Sequence, residues 1–94
     1  MKRFNELSPN HKEKAIQFAR SQVVESIIDM PELFDKNIYD KSMIAHNKMQ
    51  IAGTPWFIYE AIYEELRDEV NHMALKLAKE AYYPSPDDVV LNLT

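Results

Sequence analysis

The chain has 94 residues, a formal net charge of −4 and no cysteine. That length fits one small domain, and the missing cysteines exclude disulfides, thiol catalysis and cysteine-held zinc. Hydrophobic residues make up 46% of the chain, too many for a disordered polymer, and the lone Gly53 without any Asn-Gly or Asp-Gly pair argues against hairpins and a β-rich fold.

The first element announces itself at Ser8-Pro9. Serine caps a helix by accepting an orphan backbone N–H, and proline suits the first helical position because it has no N–H to satisfy. Ile16, Ala19, Val23 and Ile27 share one face, widened by Ala15, Val24 and Ile28. The helix should stop near Asp29, because Pro31 disfavours helical geometry at Met30. Phe4 and Leu7 should fold back onto its first turn. Pro31 opens a short turn of helix through Lys36, and Asn37 is the expected break. A further helix follows over 38–52, with Tyr39, Met43, Ile44, Met49 and Ile51 as its candidate buried residues. Gly53 is placed to end it in a left-handed conformation.

Thr54 and Pro55 repeat the cap-and-proline signal, and the spacing after them predicts one unbroken helix to about Tyr83. Trp56, Tyr59, Tyr63, Leu66, Val70, Met73 and Leu77 recur at alternating steps of three and four, a pattern that only a helix gathers onto one face. Pro84 and Pro86 end the run. A helix over 55–83 would be about 43 Å long, against about 31 Å for the helix over 9–29. Leu77, Ala78 and Ala81 would then be left partly bare, and bare apolar surface marks an interface. A two-fold homodimer is the simplest way to cover it. The expectation is an all-α fold: a small bundle of three main helices in a single domain over 1–83, with a tail over 84–94.

Charge is uneven along the chain. Residues 1–29 carry a net +1 and residues 55–83 a net −3. No basic stripe with interleaved aromatics exists, so direct nucleic-acid binding is disfavoured. No apolar run approaches the length of a membrane span, and no apolar signal stretch follows Lys2 and Arg3. The expected setting is the cytoplasm. Glu60, Glu64 and Asp68 stand four residues apart on the last helix, with Glu65 and Glu69 as a second such pair. Like charges at this spacing repel by a few tenths of a kcal/mol. Arg67 relieves part of that, and acids ahead of Lys76 and Lys79 suit the helix dipole. The row reads either as a solvated face or as a ridge that meets a basic protein surface. Trp56 and Phe57 cannot both face inward, so one of them is the candidate aromatic anchor beside the ridge.

Glu69-x-x-His72 places two potential ligands on one helical face, as in half of a di-iron carboxylate site. Glu25 on the first helix and a second copy of the chain would have to complete it. The second Glu-x-x-His that a monomeric site needs is missing. His46 reads as a core or rim histidine, and His11 as exposed in the first turn. There is no phosphate-binding glycine loop, and no local motif assembles a nucleophile, a base and an acid. No enzyme activity and no cofactor are therefore expected.

The opening Phe4-x-Glu6-Leu7-Ser8, followed by Lys12, Lys14, Ala15 and Ile16, resembles the start of many small helical proteins of bacteriophages and mobile elements. The resemblance covers about the first 20 residues. It implies an accessory role, such as binding and inhibiting a host defence or regulatory protein, and carries no functional residue with it. The Glu69-x-x-His72 helix is also similar to one helix of ferritin-like proteins. The leading expectation is a non-catalytic, homodimeric protein-binding module using Trp56, Phe57, Glu60, Glu64 and Asp68. The alternative is a dimeric ferritin-like metal-binding protein using Glu25, Glu69 and His72.

Overall fold

The computed structural model describes residues 1–52 and 58–83. In chain order these form a two-residue strand β1 (Lys2–Arg3), a 3-10 turn (Phe4–Glu6), helix α1 (Pro9–Asp29), a second 3-10 turn (Pro31–Leu33), helices α2 (Lys36–Ala52), α3 (Ile58–Glu65) and α4 (Arg67–Glu80), and strand β2 (Tyr82–Tyr83). The fold is all-α, a small helical bundle with one short strand pair. The Gly53 and Thr54-Pro55 signals, and the tail over 84–94, lie outside the described residues.

α1 starts and stops where its sequence says it should. The Ser8 hydroxyl accepts the His11 N–H at 3.2 Å, Pro9 occupies the first turn, and the helix ends at Asp29 before Pro31. Phe4 is buried and joins the core, with Lys12 above its ring. The break before α2 differs from expectation. Asn37 is helical, and Asp35 is the cap: its carboxylate accepts the Ile38 N–H and its carbonyl the Tyr39 N–H, both at 2.9 Å. Aspartate satisfies these orphan donors as asparagine would.

The buried face of α2 also differs. Ile38, Ser42, Ala45 and Met49 are inside, whereas Tyr39, Ile44 and Ile51 are exposed. Spacings of four, three and four make the observed set one stripe. Choosing by side-chain size overlooked Ser42 and Ala45. Ser42 tolerates full burial because its hydroxyl donates to the Tyr39 carbonyl at 2.7 Å.

The expected single long helix is two helices. Leu66 leaves helical geometry at φ −121°, ψ 25°, and α4 begins after it. No glycine or proline causes this bend, and the backbone pairing continues across it, with Leu66 N–H to Ile62 O at 3.0 Å and Val70 N–H to Leu66 O at 2.8 Å. Its reason is tertiary: α3 packs chiefly on α2, while α4 packs chiefly on α1. The bend turns one apolar edge from one partner to the other.

That edge is not the expected seam. Ile62, Leu66, Val70, Ala74 and Ala78 are fully buried, at steps of four. Tyr59, Tyr63 and Met73 flank them, partly buried, and Leu77 is exposed. Ala78, expected to be bare, is covered. On α1 the facing line is Ala15, Ala19, Val23 and Ile27, again at steps of four. β1 and β2 pair antiparallel, Lys2 with Tyr83 and Arg3 with Tyr82, so the start of α1 lies beside the end of α4. The two helices therefore run antiparallel. Ala15 and Ala19 meet the Ala74–Ala78 end, and Val23 and Ile27 meet the larger residues. Small side chains let the axes approach closely at one end.

α4 ends at Glu80 rather than running to Tyr83, because the chain there gains a strand pairing. The Tyr83 hydroxyl donates to the Ala78 carbonyl at 2.7 Å, filling one of the acceptors that a helix C-terminus leaves open. Arg3 stacks on the Tyr82 ring at 4.5 Å. Replacing Ala74 with leucine should wedge the close end of α1 from α4. The expected loss is about 1–3 kcal/mol of unfolding free energy by urea denaturation. Full stability in the Ala74→Leu variant would contradict the close packing described.

Candidate functional site

The acidic residues of α3 and of the first turn of α4 sort into two sets. Glu65 and Glu69 turn inward toward α2. Glu65 pairs with Lys48, and Glu69 with Lys41 at 3.1 Å. Lys41 and Lys48 are seven apart, so they lie on one face of α2, two turns from each other. The pairs tie α2 to both helices across the bend. Glu60, Glu64 and Asp68 turn outward, are exposed, and form no ion pair with a described residue. The expected ridge is thus on the surface and continues past Leu66. Trp56 and Phe57, expected beside it, lie outside the described residues.

The bend is braced from α1. The Asn71 side-chain oxygen accepts both the Arg20 Nε–H at 3.0 Å and the Tyr63 hydroxyl at 3.1 Å. The Arg20 and Arg67 guanidinium groups lie 5.2 and 5.7 Å from the centre of the Tyr63 ring. Arg67 is therefore held against Tyr63, next to the acidic ridge.

The structure does not bring Glu25, Glu69 and His72 together. Glu25 and His72 are exposed, and Glu69 is held by Lys41. Among the described residues no three His, Asp or Glu side chains gather in a metal-ligating group. His11 is exposed and His46 half-buried. Among the described residues no helix is long and apolar enough to cross a membrane.

The surface also carries a feature that the sequence reading missed. Phe18 on α1 is 67% exposed and Tyr82 is 62% exposed. With Leu77, Ala81 and Gln22 they border an apolar groove of about 410 Å³ between α1 and the end of α4. A smaller recess of about 300 Å³ continues along the same seam, lined by Val23, Phe34 and Met73. The signal for Phe18 was available, since it falls outside the core stripe of α1. No protein-family profile, characterised protein or solved structure matches the chain.

The inward pairs have a pH signature. The Glu65 carboxylate, by hydrogen bond and charge, holds Lys48 above its ordinary value, with a smaller contribution from Glu64. Burial raises the Tyr83 hydroxyl. A group raised on folding contributes stability that is complete below its unfolded pKa, about 10 for tyrosine and about 10.4 for lysine, and lost as pH rises through the folded value. The melting temperature should therefore fall as pH climbs past about 10. Tyr83→Phe and Lys48→Met should each flatten part of that fall in a thermal-melt series, and a melting temperature that rose through the same range would contradict both assignments.

Proposed function

We propose that this chain is a non-catalytic protein-binding module that presents its acidic ridge to a basic protein surface and assembles as a homodimer. The observation that carries the reading is the division of the acids. Lys41 and Lys48 pair with Glu69 and Glu65, while Glu60, Glu64 and Asp68 stand outside and form no ion pair with a described residue. The exposed Phe18 and Tyr82 support use of the surface for protein contact, because large aromatics are the side chains that interfaces favour.

A phage or mobile-element inhibitor of a host defence or regulatory protein is the narrower form of this proposal. Its support is the resemblance of the opening residues, several of which also have structural duties: Phe4 and Ala15 in the core, Glu6 accepting the Arg3 N–H, and Ser8 as a cap. No observation favours the ferritin-like alternative, whose Glu69 is engaged by Lys41.

The test uses the immobilised protein and a lysate of the source organism. A protein captured by the wild type and lost with Glu60→Lys, Glu64→Lys and Asp68→Lys combined is then purified, and its affinity is measured by calorimetry at two salt concentrations. The expected result is at least a tenfold loss of affinity, about 1.4 kcal/mol, and a shallower salt dependence. Equal affinity and equal salt dependence for the purified pair would remove the ridge from the interface. Failure to capture any wild-type-specific protein would count against the reading as a whole.

A further inference from the structure

His11, Lys14, Phe18, Gln22, Glu25 and Asp29 are all exposed. At about 100° per residue they fall within an arc of about 80° on α1. They form one stripe along the whole helix, with Phe18 and Gln22 near its middle. Its charge is ordered, basic at the N-terminal end and acidic at the C-terminal end. Lys14, Glu25 and Asp29 form no ion pair with any described residue.

This order opposes the helix dipole, which favours acids near the N-terminus and bases near the C-terminus. α1 has no acidic residue in its first turn and no basic residue in its last. Within one copy the arrangement is unfavourable. An antiparallel copy of the same stripe corrects it, because each positive end then meets a negative one.

We infer that the outer face of α1 is a two-fold interface between two copies of this chain, with the axis passing midway between Phe18 and Gln22. The inference rests on the homodimeric part of the proposed function and names the face that forms it. In that register Phe18 of each copy lies opposite Gln22 of the other. His11 meets Asp29 of the second copy, and Lys14 comes within one residue of its Glu25. Phe18 stands at the border of the groove, and Gln22 borders both the groove and its neighbouring recess, so the face carries both a protruding aromatic and an apolar hollow. An isologous contact requires such self-complementarity, since each surface must fit its own rotated image. Phe18 then leaves water for the apolar seam between α1 and α4 of the second copy.

The experiment is sedimentation equilibrium of the full chain from about 5 to 500 µM, a range that brackets a micromolar dimer. The wild type should dimerise, more weakly at high salt. Phe18→Ser should weaken the dimer at least about tenfold, since aromatic anchors carry much of an interface. Lys14→Glu alone and Glu25→Lys alone each set like charges opposite one another twice, and should weaken it similarly. The double variant Lys14→Glu with Glu25→Lys restores opposite charges and should return the dissociation constant to near the wild-type value. All these positions are exposed, and unchanged circular dichroism confirms that each variant folds. A dimer indifferent to Phe18→Ser, or a double variant as weak as the singles, overturns this face while leaving the homodimer standing. A wild type monomeric throughout overturns both.

Discussion

The close antiparallel contact of α1 with α4 is the constraint on which the other features depend. Alanines at one end of the seam let the helices approach, and the larger Val23 and Ile27 of α1 and Val70 of α4 fill the other end. Apolar area leaving water supplies the driving force, roughly 25 cal/mol for each Å². The approach also brings the two ends of the described chain together. Lys2 and Arg3 can pair with Tyr82 and Tyr83 only because the start of α1 lies beside the end of α4. The groove bordered by Phe18 and Leu77 is the outer edge of the same seam.

The bend at Leu66 follows from that contact. One apolar edge must serve two partners, α2 beneath α3 and α1 beneath α4. A straight helix cannot face both, so the backbone turns where Leu66 is completely enclosed. Asn71 then holds the turn by accepting from Arg20 on α1 and Tyr63 on α3 together. Both donors are partly buried, where an unmade hydrogen bond costs more than a made one contributes. Lys41 and Lys48 secure the opposite side. As surface pairs they add little stability each; Glu65 and Glu69 face them because the buried edge through Ile62, Leu66 and Val70 sets the rotation of both helices.

Charge on this molecule is therefore organised by packing. Two of the acids on the bent helix pair meet lysines of α2, and Glu60, Glu64 and Asp68 form an outward row. The stripe on α1 is organised differently, with its charges arranged against the dipole of its own helix. A surface of this kind gains from association, because an antiparallel neighbour reverses the unfavourable order. The ridge and the stripe are separate faces, and both support a protein that acts through contact.

Local chemistry determined much of this protein directly from its sequence. Ser8, Pro9 and Pro31 set the bounds of α1, and apolar spacing placed Ala19, Val23 and Ile27 inside with Ala15 and Val24 beside them, while Ile16, read as part of the main line, is only partly buried. The exposed row of Glu60, Glu64 and Asp68 followed from helical periodicity alone. These features depend on neighbours a few residues away, which is why they are legible. Other features required the assembled chain. Whether Ala74 and Ala78 or Leu77 faced the core depended on how near α1 could come, a distance no local pattern encodes. The bend at Leu66 has no glycine or proline to mark it and exists because two partners lie in different directions. The strand at Tyr82–Tyr83 needed its mate some eighty residues earlier. The pairing of Glu65 and Glu69, which sets them apart from Glu60, Glu64 and Asp68, waited on lysines brought alongside by α2.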